Sequence, residues 1–169
     1  MLYVFHPNKK DLRLFIVLFV IFMLGFLIEM LGVNTGQIFG SYKYGKGLGI
    51  KIVETPIMIG INWAFLVYLS TSVTQKFKIN GFAGAFVASL IMLFYDFIIE
   101  NIAPKTDMWY WQNDAVPFQN FLAWFFIALV FNSIVKLLKL NTENKIAPLI
   151  LICQLLFFGG LLIFFILTK

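Results

Sequence analysis

Glu29, Glu54, Asp96 and Glu100 all fall at one end of long apolar runs, and that placement suits proton-transfer chemistry. A charged side chain at the bilayer centre costs about 2.5–3.5 kcal/mol on insertion scales, so acids near hydrocarbon are functional candidates. An acid held in a dry site can donate a proton, while a second, better-solvated carboxylate can accept one from water. Asp96 and Glu100 are four residues apart, which on a helix sets them on one face, about 6 Å from each other. Their repulsion, the negative end of the helix dipole and the loss of water all favour one of the two holding a proton. The competing reading is that Glu100 has left the membrane and is merely solvated. Glu29 reads equally as a headgroup-level partner for Lys51 or Lys105. Glu54 precedes Thr55 and Pro56 at a helix start, where simple capping competes. Glu54, Met58 and Asn62 share a helix face, which keeps a site role open. The expectation is that all four carboxylates converge at one end of a helical bundle.

Polar and aromatic residues accompany the acids. Asn120, Trp124, Ala128 and Asn132 recur every four residues, and an Asn in a membrane helix seeks a partner inside the bundle. For Asn132, helix–helix hydrogen bonding is the favoured reading. Tyr42, Tyr44, Trp109, Tyr110 and Trp111 fit an interfacial aromatic belt. The sharper reading is that their rings line a pocket for an apolar or cationic species. GKGLG at 45–49 lacks the spacing of a P-loop. One Cys (Cys153) and one His (His6) match no common zinc pattern, and His6 reads as an exposed headgroup-level residue. Gly32, Gly36 and Gly40 could pack helices, but Asn34 and Thr35 suggest a loop or re-entrant turn there.

The elements that must hold these residues follow from composition. The chain is 61% hydrophobic and 12% charged over 169 residues, which excludes a soluble fold and bounds it to one domain. Residues 55–74, 116–135 and 146–168 contain no Asp, Glu, Lys or Arg. Each meets the need for about 20 apolar residues per span. With two further runs, the reading is an all-α polytopic bundle with spans at about 12–32, 55–74, 79–100, 116–136 and 146–168. The first is too long for a signal peptide and no cleavage site follows it. In the third span, Gly81, Ala85, Ala88, Ser89, Met92, Asp96 and Glu100 form a small-and-polar stripe facing the bundle. Phe82, Phe86, Leu90 and Phe94 point elsewhere. Pro56, Pro117 and Pro148 fall at span starts, where a missing N–H costs nothing.

The net charge of +5 is scattered over loops, which argues for membrane topology rather than nucleic acid. Eight basic residues (Lys9, Lys10, Arg13, Lys76, Lys78, Lys136, Lys139 and Lys145) share a side, against five (Lys43, Lys46, Lys51, Lys105 and Lys169) on the other. The expectation is an integral protein of a bacterial cell membrane with a cytoplasmic N-terminus. The acids then lie near the outer face, joined by two long loops rich in Gly, Pro, Asn and aromatics. The loops on the other side, TQKFKIN and KLNTENK, are short.

GQIFGSYKYG at 36–45, then Pro56 and Asn62-Trp63, resemble a first signature of the membrane carotenoid biosynthesis proteins typified by bisanhydrobacterioruberin hydratase. Asp96–x–x–x–Glu100–x–x–Ala103–Pro104, Trp109-Tyr110-Trp111 and VPFQNFxxW at 116–124 resemble a second. The resemblance covers roughly Glu29 to Trp124. It implies addition of water to the terminal double bond of an acyclic carotenoid, giving a tertiary alcohol, with no metal or redox cofactor. Many members carry additional helices, where five are counted here, so partner carotenoid enzymes or a homo-oligomer enter the reading. The fifth span carries no matching motif.

Physical chemistry runs parallel to that resemblance. A long acyclic polyene is about as long as the ~30 Å hydrocarbon core, so its end group would meet the acids and water at the interface. Asp96 or Glu100 would protonate the alkene, and aromatic faces would steady the tertiary cation. Glu29 or Glu54 would orient and deprotonate water. Tyr42, Tyr44, Asn62, Trp63, Trp109, Trp111, Asn120 and Trp124 would bind the substrate. A cyclase or isomerase acting on the same cation is the rival enzyme. A small proton-relaying transporter or accessory subunit is the non-enzymatic rival, weakened by the lack of acids in the opposite half.

Overall fold

In lipid a long apolar run becomes a helix because only then are its backbone groups satisfied internally. The computed structural model describes residues 12–168. Five helices form: α1 (Leu12–Thr35), α2 (Ile57–Lys76), α3 (Gly81–Glu100), α4 (Phe118–Leu137) and α5 (Ala147–Leu167). All five are long and apolar enough to cross a membrane, which makes this an all-α membrane bundle. His6, Lys9, Lys10 and Lys169 lie outside the described residues.

Helix ends follow local chemistry. Pro56 and Pro117 precede α2 and α4 in extended conformation, and Pro148 sits in the first turn of α5. None interrupts a helix. α1 continues through Asn34 and Thr35, whose side chains donate to the carbonyls of Met30 and Leu31. Gly36, at φ 67°, then turns the chain. Gly32 is therefore helical rather than part of a loop. A Cβ there would lie 2.5 Å from the Phe39 ring, so its absence lets the loop after α1 fold back.

α2 is central and buried on most sides. α1 packs on one side of it, α3 and α4 form the most extensive pair on the other, and α5 leans mainly on α2. Close approach relies on small residues. A Cβ at Gly25 would meet the Trp63 ring at 2.7 Å, and one at Gly60 would meet the Phe22 carbonyl at 2.8 Å. On α3 the stripe of Ala85, Ala88, Ser89, Met92, Asp96 and Glu100 is buried, while Phe82, Phe86, Leu90 and Phe94 are exposed. Gly81 departs from the stripe and is exposed. Midway down the bundle, the Asn132 amide donates to the Ser89 hydroxyl at 3.1 Å and its oxygen accepts from Ser70 at 3.3 Å. Asn132 thus ties α2, α3 and α4 together.

Two small antiparallel sheets were not expected from an all-helical reading. β2 (Lys51–Ile52) pairs with β3 (Thr55–Pro56) in a tight hairpin. β1 (Tyr42–Tyr44) pairs with β4 (Trp109–Trp111), joining the loop after α1 to the loop after α3. A one-turn 3₁₀ helix (Ala103–Thr106) leads into β4.

Candidate functional site

The β1–β4 ribbon closes the end of the bundle that carries the acids. Its register sets Tyr42 opposite Trp111, Lys43 opposite Tyr110, and Tyr44 opposite Trp109. Side chains alternate across a strand, so the outer pairs share one face and the middle pair takes the other. Tyr44, Trp109 and Trp111 are buried, while Lys43 is exposed and lies over the Tyr110 ring at 5.9 Å. The ribbon extends past β1, where Gly45 N–H donates to the Met108 carbonyl at 2.8 Å and Gly47 N–H to the Asp107 carbonyl at 2.7 Å. Asp107 also accepts from the Lys46 amide and the Tyr110 hydroxyl. The Tyr110 bond, then the Lys46 bond, hold its carboxyl below the ordinary range.

Glycine is required at this seam. A Cβ at Gly45 would lie 2.2 Å from the Asp107 carbonyl oxygen. Gly45→Ala should therefore pry the ribbon open at a cost of about 1–3 kcal/mol, typical of overpacking. The check is a lowered unfolding midpoint, with tryptophan emission shifted toward that of hydrated indole.

Beneath the ribbon, each inward ring carries its donor to a carboxylate. Glu29 Oε2 accepts from the Tyr42 hydroxyl at 2.8 Å and the Tyr44 hydroxyl at 2.7 Å, and its Oε1 from Trp63 Nε1 at 3.0 Å. Burial, and after it the charge of Glu29, hold both tyrosine hydroxyls above the ordinary phenol range, so they remain donors. Glu100 Oε2 accepts from Trp109 Nε1 at 2.9 Å and Trp111 Nε1 at 2.7 Å. The Asn120 amide nitrogen bridges Glu100 Oε1 at 3.0 Å and Asp96 Oδ2 at 3.1 Å. Asp96 Oδ1 is buried with no partner. Exposures of 3% for Glu29, 0% for Asp96 and 4% for Glu100 exclude the reading of Glu100 as a solvated residue.

A cavity of about 20 Å³ lies among these groups. Its wall includes Glu29, Glu100, Asn120, Tyr42, Trp111 and Trp124. That volume suits one water molecule, and every requirement for two to four polar partners is present on the wall. Trp63 stacks on Trp124 at 4.1 Å and 19°, forming an aromatic floor with Phe131 edge-on at 5.6 Å.

The structure thus gathers Glu29, Asp96, Glu100, Asn120, Tyr42, Tyr44, Trp63, Trp109, Trp111 and Trp124. Two candidates stand apart. Glu54 is exposed at φ 61° in the β2–β3 turn, so convergence involves three carboxylates and not four. The chain inserts a hairpin before α2, and that hairpin carries Glu54 outward. Asn62 is half-buried on α2 and Met58 exposed; neither lines the cavity. Glu29 pairs with ring donors rather than with Lys51, whose ammonium donates to the Tyr44 carbonyl. Phe39 and Ile59 also line the cavity and were not singled out from the sequence. A signal for the ribbon existed: Tyr-Lys-Tyr and Trp-Tyr-Trp both set large rings two residues apart, the period of a strand.

A family model described as carotenoid biosynthesis protein matches residues 1–168. No curated protein and no solved structure matches the chain.

Proposed function

The chain belongs to the carotenoid biosynthesis protein family, and from that premise we propose that it adds water to the terminal double bond of an acyclic carotenoid. Its role in carotenoid biosynthesis follows from the family. The observation that carries the finer reading is a water-sized cavity walled by two unlike carboxylates. Glu29 has three donors, the pattern that suits an ionised acceptor. Glu100 shares Asn120 with Asp96, and Asp96 keeps one bare buried oxygen, which suits a pair sharing a proton.

In this mechanism the Asp96–Glu100 pair delivers a proton to the less substituted alkene carbon. The new C–H bond consumes the π electrons and leaves a tertiary cation at the neighbouring carbon. Indole and phenol faces of Trp109, Trp111 and Tyr42 stabilise that cation. Water held by Glu29 attacks it, the C–O bond forms, and Glu29 takes the released proton. That proton returns to the pair before the next turnover. The end group needs more room than the cavity offers, so its arrival displaces ring side chains at the wall. Glu54 has no part in this scheme.

The test is expression in a host that accumulates lycopene, with mass analysis of the pigment. The expected product has gained one water at each reacted end. An unchanged pigment, or an isomer of equal mass, would overturn the reading in favour of a transporter or a cyclase. The same reading puts the acid cluster on the outer side of a cell membrane and the N-terminus in the cytoplasm, from the eight-to-five excess of basic residues. Reporters fused at the two ends should then give opposite locations, and a shared location would refute the five-span path.

A further inference from the structure

Lys136, at the end of the bundle opposite the acids, is a cation held in place rather than left to solvent. It lies in the last turn of α4, half-buried, and its ammonium donates to the Ile79 carbonyl at 3.2 Å. Gly84 on α3 makes the room: a Cβ there would come within 3.0 Å of both Lys136 Cε and Nζ. One carbonyl occupies one of the three ammonium hydrogens.

Two cavities share Lys136 in their walls. A polar basin of about 500 Å³ is lined by Gln75, Asn80, Lys136, Lys139, Asn141 and Glu143, among others. An adjoining slot of about 120 Å³ runs between α3 and α4, lined by Phe82, Ala85, Ser133, Lys136 and Leu137. Gly81 and Lys136 belong to both. The basin wall is braced, because Gln75 donates to the Leu140 carbonyl at 2.7 Å and accepts from the Thr142 amide at 2.8 Å. Those bonds fix the loop that carries Lys139. Lys76 at the end of α2, with Lys78 and Lys145 in the α2–α3 and α4–α5 loops, adds positive charge at this end, and Glu143 is the single carboxylate of those two loops.

We propose that this site binds one anionic phospholipid, with its phosphate on Lys136 and Lys139 and an acyl chain in the α3–α4 slot. A polar basin opening into an apolar slot at the membrane edge matches the two-part chemistry of a lipid better than that of a free anion. Basic pockets between helices are where anionic headgroups are recognised. The lipid would clamp α3 to α4 at the end away from the acids. This inference does not depend on which reaction the protein performs.

The experiment measures thermal unfolding of the full chain in neutral detergent, with phosphatidylglycerol, phosphatidylcholine or glycerol phosphate added. Phosphatidylglycerol should raise the midpoint by about 2–4 °C or more at saturation, and the other two should raise it far less. Lys136→Gln and Lys139→Gln should each weaken the apparent affinity for phosphatidylglycerol about fivefold. Lys105→Gln, at the other end of the bundle, should leave it unchanged. Ser133→Phe, which fills the slot, should also remove the response. Equal stabilisation by phosphatidylcholine would overturn the proposal, as would an undiminished response in the lysine variants. Glycerol phosphate matching phosphatidylglycerol would mark a free-phosphate site and overturn it too. Should Lys136→Gln fail to fold, Lys139→Gln carries the test, because its side chain is exposed.

Discussion

Asp96→Asn should abolish hydration while the protein still inserts and accumulates. Asn has nearly the volume of Asp and can keep an oxygen for the Asn120 amide, which bonds Asp96 Oδ2 at 3.1 Å. Its amide nitrogen takes the position of the partnerless Oδ1, so packing changes little and no existing hydrogen bond is lost. What disappears is the ability to hold and deliver a proton. General acid–base groups contribute about 10²–10⁴-fold to rate, so conversion should fall by that range. Glu100→Gln should lose activity to a similar or smaller degree, since the bridged pair shares one proton. It should also lose some stability. Its oxygen can keep both indole donors, but its amide then faces the Asn120 amide, donor against donor. The measurement is the ratio of hydroxylated to unreacted carotenoid at matched protein levels. Wild-type conversion by Asp96→Asn would make Asp96 structural and move the donor elsewhere.

Glu29 separates chemistry from folding. Glu29→Gln should reduce hydration by about 10²–10⁴-fold, because an amide cannot take the proton from attacking water. The same substitution sets an amide N–H against one of the existing donors, most simply Trp63 Nε1, costing about 1–3 kcal/mol. Glu29→Ala is a different matter. It strands the Tyr44 hydroxyl and the Trp63 indole N–H in a buried site and leaves the Tyr42 hydroxyl only its long contact, 3.5 Å, with the backbone carbonyl of residue 29. At about 1–3 kcal/mol for each unsatisfied donor, the total approaches the ~5–15 kcal/mol that holds an ordinary protein folded. Glu29→Ala should therefore fail to accumulate, whereas Glu29→Gln should accumulate and be inactive. Protein level, unfolding midpoint and product ratio together decide. A stable Glu29→Ala protein would show that the three donors find other partners, and an active Glu29→Gln would remove Glu29 from the water-binding role.

Much of this architecture is local and was therefore legible. The number of spans follows from the thickness of hydrocarbon and the length of each apolar run. The inward face of α3 follows from helical period alone, which is why Ala85, Ala88, Ser89, Met92, Asp96 and Glu100 could be assigned together. That acids lie at one end follows from the alternating direction of the spans. Residue chemistry further marked Tyr42, Tyr44, Trp109, Trp111, Asn120 and Trp124 as neighbours of those acids.

The tertiary structure decided which groups touch. Pairing of Tyr42–Tyr44 with Trp109–Trp111 joins loops separated by two helices, and no local period encodes such a partnership. Only that register aims two phenols at Glu29 and two indoles at Glu100. The hairpin before α2, with Glu54 at its left-handed turn, took from the cluster an acid that span order alone would have included. The unequal treatment of the remaining acids, three donors for Glu29 and a bare oxygen on Asp96, rests on separations of about 3 Å. A hydrogen bond forms or fails within a fraction of an ångström. Composition and period place residues only to within a helix turn, so the division of labour among the acids belongs to the folded molecule.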